Sequence, residues 1–319
     1  MGRKSTTAMM RIAIAGAGGF ANILAQELSQ SANPLLVLST REHPEFDAYD
    51  CQVAVVDYHD LTNLEFTLRG VDLVISTIAG TEQLDLIDAA RRAHVRCFVP
   101  SEFEGAISHR PGPDDPLDNG SSTARSLLQR WSQARPHPMR FTVFSCGVFY
   151  ERFAPGGLGT YNMGATLRLQ DQGSYMLNIG RGTGEIPDTD SRGRPALLAL
   201  TSAYDVARFV AAAVERGIDN WPPEFRVMGA RLTTRRLQQV CSEVRGVEFE
   251  VIARPYNEIV SWLQYFDERN EVDRWYFMQH MLQTANGRYN FGEANLNRIV
   301  NIEPVGFREW LQEVWGPAQ

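Results

Sequence analysis

Gly16, Gly18 and Gly19 stand where a backbone would turn tightly against a charged group. They follow the apolar run RIAIA at residues 11–15 and precede a helix-like segment from about Phe20 to Ser31. Gly16 closes a strand without a side chain. Gly18 and Gly19 let the backbone come close to a ligand, and the free N–H groups of a helix beginning near Phe20 suit pyrophosphate oxygens. A glycine turn can also serve packing alone. Its place after the first of five strands favours a bound dinucleotide. The second apolar run ends in Ser39, Thr40 and Arg41. Sites for an unphosphorylated ribose usually carry an acidic residue here. A hydroxyl and a guanidinium suit a 2′-phosphate, so NADPH/NADP+ is expected over NADH, with Glu42 as a contrary sign. Asp57, at the end of the third run, fits either an adenine amine or a turn cap. Thr77, Ile78 and Ala79 end the fourth run and are expected to border the cofactor.

Further chemistry gathers on two later strand ends. Glu102 lies just past the fifth strand, near the expected nicotinamide end. It suits acid/base work or, alternatively, holding its own loop through backbone N–H groups. Phe103, Phe149 and Tyr150 fall on two such loops and are candidates for an apolar wall against an aromatic substrate. Packing between lobes is the other reading of all three. No HxxxH spacing or CxxC pair occurs, and no metal site is expected.

The elements that must position these residues follow an α/β rhythm. Strands are expected at 11–15, 35–39, 53–57, 72–78, 95–99 and 141–146, with helices near 20–31, 61–68 and 82–93. Pro100 stops the fifth strand. This alternation implies a Rossmann-type, mostly parallel sheet with helices on both faces and a smaller C-terminal substrate lobe. The expected organisation is a flexible leader at 1–10, a nucleotide-binding core at 11–155 and a substrate lobe at 156–319. Segments near 197–232 are expected to return to the core. Residues 104–122 are too polar and broken for a core element and read as a mobile flap or a surface excursion. Helices are expected at 203–216, 233–244, much of 256–291 and 304–315, with strands near 225–228 and 247–252.

Composition removes several function classes. The chain of 319 residues carries a formal charge of −7, which disfavours bulk attraction to nucleic acid or an anionic membrane. Of its 31 lysine and arginine residues, Lys4 alone is lysine. Chemistry needing a desolvated lysine amine is therefore excluded unless the leader folds into a cleft, and arginine cannot substitute by losing its proton. No apolar run is long enough to span a bilayer. The four separated cysteines read as buried free thiols. A soluble, cytoplasmic protein with a small-molecule partner is expected.

The segments IAIAGAGGFANILAQEL (12–28), VVDYHDLTNLEFTLRGVDLVIS (55–76), FVPSEF (98–103), SCGVFYERF (145–153) and TSAYDVARFV (201–210) together resemble NmrA-like, isoflavone-reductase-like proteins. These form an atypical branch of the short-chain dehydrogenase/reductase superfamily. The resemblance implies an NADPH-binding Rossmann domain and reduction of carbon–carbon double bonds or benzylic ether carbons in phenolic metabolites. Asn22 stands where the family has its third glycine. The family's catalytic lysine, by length, falls at about Thr123, and Arg125 lies two residues on. With that lysine missing, Arg125 is a candidate to bind an anionic or carbonyl oxygen. Tyr150, Glu102, His109 or water is a candidate to move the proton. The leading expectation is an NADPH-dependent reductase of a small aromatic or conjugated metabolite. A redox-neutral isomerase or cyclase and a non-catalytic NADP-binding regulator are the rivals.

Overall fold

The computed structural model describes residues 9–165 and 168–316. Lys4 lies outside the described residues, as does most of the expected leader. Met10, also placed in that leader, is buried, and its amide donates to the Asn33 side chain at 3.0 Å.

The chain opens with β1 (Ile12–Ala15), α1 (Gly19–Leu28), β2 (Leu35–Ser39), β3 (Gln52–Val55) and α2 (Leu61–Thr67). It continues with β4 (Leu73–Ser76), α3 (Thr81–Arg92), β5 (Cys97–Val99), α4 (Ser121–Ser132) and β6 (Arg140–Phe141). The six strands pair in parallel in the order β3-β2-β1-β4-β5-β6. In such a doubly wound sheet the strand order reverses between β1 and β4, and ligands bind beyond the carboxyl ends there.

Period-two alternation builds two cores from one short strand. Ile12 and Ile14 pack with Ile23, Leu24 and Leu28 of α1 on one face. Ala13 and Ala15 face Leu64 of α2, Leu86 and Ile87 of α3 and Leu128 of α4 on the other. Small alanines on this second side let the helices lie close to the sheet. Asp60 caps α2 by accepting the amides of Thr62 and Asn63 at 3.1 and 3.0 Å, which fixes where that helix starts.

The expected sixth strand is two strands. β6 pairs with β5. After Thr142, β7 (Val143–Ser145) pairs instead with β12 (Glu224–Arg226). Thr142 makes the switch, donating its amide to Phe98 at 3.1 Å and its hydroxyl to the Pro222 carbonyl at 2.8 Å. Next come β8 (Val148–Phe149), β9 (Leu177–Asn178), β10 (Thr183–Pro187), β11 (Leu197–Thr201), α5 (Ala203–Glu215) and β13 (Ala230–Thr233). β11 sits between β8 and β13, and α5 packs beside α1 under the six-stranded sheet. The rest comprises α6 (Thr234–Arg245), β14 (Glu250–Arg254), α7 (Tyr256–Glu268), α8 (Val272–Ala285), α9 (Asn295–Ile299) and α10 (Phe307–Trp315). β14 pairs with β10 in a small sheet completed by β9. The β8–β11–β13 and β9–β10–β14 sheets have no counterpart in the sequence expectation except β14.

Residues 104–122 are exposed at 108, 109, 112–114, 116 and 119, but the segment is anchored rather than free. They carry a run of buried charges fastened to both lobes, described with the site below.

Candidate functional site

The glycine turn is held from behind. Gly16 has φ +101°, a region glycine tolerates and other residues avoid. Its amide donates to the Leu38 carbonyl at 2.9 Å and to the Tyr58 hydroxyl at 3.0 Å, and that hydroxyl donates to Leu38 at 2.8 Å. Tyr58 is buried and ties the end of β1 to the end of β2. A Cβ on Gly16 would run into the Thr77 side chain and come within 3.0 Å of Ile78. Thr77 is fixed there by donating its hydroxyl to the Ala15 carbonyl at 2.8 Å.

At the start of α1, the Gly19 amide donates to the Asn162 carbonyl at 3.0 Å. Asn22 is the first residue bonded inward, to Gly18 at 3.0 Å. Among the described residues, the amides of Phe20 and Ala21 therefore have no protein acceptor and border the cavity. This is the donor pair a pyrophosphate needs. The Asn22 side chain turns aside and accepts the Tyr49 hydroxyl at 3.0 Å.

A cavity of about 680 Å³ runs from these glycines in two directions. One end is bordered by Ser39, Thr40, Arg41 and His43. Thr40 and Arg41 are exposed, and the Arg41 guanidinium has no hydrogen-bond or ion-pair partner among the described residues. Asp57 does not line this cavity. Its carboxylate accepts the His59 amide at 2.9 Å and closes a turn, while the neighbouring Tyr58 takes the place at the wall. Ile78 and Ala79 line the middle.

The other end is aromatic. Phe20 meets Phe103 edge-on at 4.6 Å and Phe149 at 5.2 Å, and all three border the cavity. Arg152, His280, Arg288 and Tyr289, more than a hundred residues apart in the chain at the extremes, converge on the same end.

Tyr150 faces the opposite way from Phe149. It is fully buried, its ring packs on Phe307 and Trp310 at 5.2 and 5.4 Å, and its hydroxyl donates to the Val305 carbonyl at 3.1 Å. Burial pushes its hydroxyl far above the ordinary range. It neither touches the cavity nor carries a proton there, because alternate residues leaving β8 point to opposite sides.

Glu102 borders the cavity, but one carboxylate oxygen accepts both Arg110 and Arg125, the latter at 2.5 Å. Burial pushes its carboxyl up, against the pull of the two guanidiniums. Arg125 also reaches the Ser122 hydroxyl at 3.2 Å and does not line the cavity. The two residues hold each other, and Arg125 offers no free guanidinium to a substrate. His109 lies on the surface with its ring against the Asn290 carbonyl at 2.6 Å.

A second set of buried charges continues from this pair. Arg288 donates two bonds to Glu104 at 2.9 and 3.0 Å, reaches Asp115 at 3.3 Å and donates to the Leu117 carbonyl at 3.1 Å. Burial raises the Glu104 carboxyl, but Arg110 and Arg288 outweigh it and leave the group below its usual range. Gln283 of α8 also holds Asp115. The polar stretch 104–122 is thus the joint between the six-stranded sheet and α8.

Glu151, next to Tyr150, accepts the Ser202 hydroxyl at 2.7 Å and the Ala203 amide at 2.9 Å. Burial pushes its carboxyl up to about 6 from 4.5, against those two bonds. The folded chain then holds this proton more tightly than the unfolded chain does. Its contribution to stability is full below the unfolded value and is lost as pH rises through about 6. The change is on the order of 2 kcal/mol. Glu151→Gln removes it. Urea unfolding of wild type and variant across this window should show wild type losing stability relative to the variant as pH rises, and parallel curves would refute the assignment.

Among the described residues, no group of three or more His, Cys, Asp or Glu side chains is placed to hold a metal, and no helix is long and apolar enough to cross a membrane. The four cysteines are buried and unpaired.

No family profile matches the chain. An oxidoreductase designated swnR from Arthroderma benhamiae is 24% identical over 229 residues, 70% of each chain. An isoflavone reductase homolog from Nicotiana glauca is 30% identical over 158 residues, covering 44% of this chain and 49% of its own. Among solved structures, an isoflavone reductase superposes with a TM-score of 0.68 at 17% identity, over 96% of this chain and 99% of its own. A leucoanthocyanidin reductase ternary complex from Vitis vinifera superposes with a TM-score of 0.67 at 13% identity, over 95% and 98%.

Proposed function

We propose that this chain belongs with the NmrA-like, isoflavone-reductase-like oxidoreductases it resembles, and that its cavity binds NADPH and reduces a small aromatic or conjugated metabolite. One observation carries this reading. The unbonded amides of Phe20 and Ala21, the unpaired Arg41 and the Phe20–Phe103–Phe149 wall all border one continuous cavity. A dinucleotide laid across the strand-order reversal would set its pyrophosphate on α1 and its adenosine phosphate by Thr40 and Arg41. Its reactive ring would lie near Phe103. Bound NADPH supplies a hydride there. The chain's own residues bind the nucleotide, orient it and exclude water with aromatic surface. We place the nucleotide core at 11–155 and the substrate lobe mainly at 156–319.

Arg41→Ala is expected to weaken NADPH by roughly ten- to a hundred-fold, the worth of charge-assisted bonds to a phosphate. NADH binding should be nearly unchanged. Calorimetric titration of both nucleotides against both proteins decides this, and equal losses would remove Arg41 from the 2′-phosphate site.

The engagement of Glu102 and Arg125 with each other, and the reversal of Tyr150, favour a second reading in which the chemistry is redox-neutral isomerisation or cyclisation. Following NADPH absorbance and substrate mass in the same reaction separates the two. Product formation without NADPH consumption would select the second.

A further inference from the structure

We propose that Arg152 is an anion subsite at the aromatic end of the cavity, and that the substrate presents a carboxylate to it. This rests on the reading above only in taking that end as the substrate's place.

Arg152 leaves β8 in the turn Tyr150–Phe153 and borders the cavity together with Phe149, Leu158, His280 and Tyr289. No carboxylate lies within ion-pair distance of it among the described residues. The acids around it already have partners. Glu151 holds Ser202 and Ala203, Glu102 holds Arg110 and Arg125, and Glu104 holds Arg288 and lies near Arg110. The Arg152 Nε and Nη1 atoms are buried with no hydrogen-bond acceptor. A guanidinium has only donors, and buried donors left unbonded are rare in folded proteins. The guanidinium lies over the face of the Tyr175 ring at 5.1 Å, and the Tyr175 hydroxyl is engaged with Thr284 at 2.8 Å.

The arrangement is a cation held in place on its apolar side and left open in its hydrogen bonding. A planar carboxylate matches a guanidinium fork, and the permanent charge means Arg152 binds an anion without acting as an acid. Arg41 and Arg152 are the arginines bordering this cavity that lack a carboxylate partner, and they stand at its two ends. The first suits the nucleotide's phosphate. The second lies among aromatic side chains, where a conjugated ring would be seated.

The test uses trans-cinnamate and the neutral cinnamyl alcohol as probes. Calorimetry would be run on wild type, Arg152→Gln and Arg152→Lys, each with and without NADP+. Wild type should bind cinnamate at least about ten-fold tighter than the alcohol, as a charge-assisted pair demands. Arg152→Gln should lose that preference with NADP+ affinity changed by less than about two-fold, and Arg152→Lys should keep part of it. The proposal is overturned by equal binding of the two probes to wild type or by an undiminished preference in Arg152→Gln. A roughly ten-fold loss of NADP+ binding in Arg152→Gln would also overturn it, because the guanidinium would then serve the nucleotide. Failure of wild type to bind NADP+ would count against the nucleotide reading alone, since the probe preference is read without nucleotide as well.

Discussion

Replacing Arg288 with methionine is expected to destabilise the folded chain by about 3–5 kcal/mol, the usual result of removing one partner from a buried ion pair. Arg288 is 3% exposed and satisfies Glu104, Asp115 and the Leu117 carbonyl. Methionine fills much of the same volume, so the loss measures charge and hydrogen bonding more than a cavity. Glu104 would keep Arg110 at 3.6 Å, while Asp115 would keep the Gln283 amide. Those remaining partners set the lower end of the range. Urea unfolding reads the change directly. The double variant Arg288→Met with Glu104→Gln should lose less than the two single losses added together, because it no longer strands a buried carboxylate. A single-variant loss under about 1 kcal/mol would mean that the joint is solvated and contributes little.

Gly19→Ala should cost stability and nucleotide affinity together. Alanine is worth about 1 kcal/mol more than glycine inside a helix, so propensity alone predicts a gain. The added Cβ, however, would collide with the Tyr161 carbonyl, whose carbon would be 2.8 Å away, and the obstacle is backbone that no rotamer change removes. Overpacking of this kind costs about 1–3 kcal/mol. Relief requires residues 161 and 162 to withdraw, which breaks the Gly19–Asn162 bond and reshapes the cavity wall. NADPH affinity should fall at least about ten-fold. Gly18→Ala is the control. Its φ of −75° suits any residue, and its Cβ would meet only the Asn162 carbonyl at 3.5 Å. Its stability should stay within about 0.5 kcal/mol of wild type. Equal effects of the two substitutions would show that the collision with Tyr161 is not the cause.

The six-stranded sheet was legible because β1, β2, β4 and β5 are runs of buried, mostly apolar residues separated by helices, a pattern set by local burial. The glycine turn and the aromatic pair Phe103 and Phe149 were legible for a related reason, since strand ends in this topology point at one crevice. β9, β10, β11 and β13 were not legible. They are two to five residues long, and TGEIP and ARLT show neither strict alternation nor an apolar run. Their pairing is set by partners distant in sequence. Tyr150 was misplaced by one step of strand alternation, and Arg125 because its partner Glu102 lies 23 residues away. Arg152 left a readable trace: a charged residue inside the aromatic run FYERF is a position where a charge must find a use. Arg288 and His280 left none, because only the folding of α8 over the crevice brings them to it.

The distribution of nucleophiles has a practical consequence for anyone attaching a reporter. Lys4 is the single side-chain amine in the chain, and it precedes the first described residue. All four thiols are buried, and for each of them burial pushes the thiol above its ordinary range. In the folded state, amine-directed reagents at side chains therefore address one site before β1, and thiol-directed reagents react slowly everywhere. A cysteine introduced at an exposed position such as Thr40 would be the fastest-labelling thiol in the molecule, and a dye placed there would border the cavity beside Arg41.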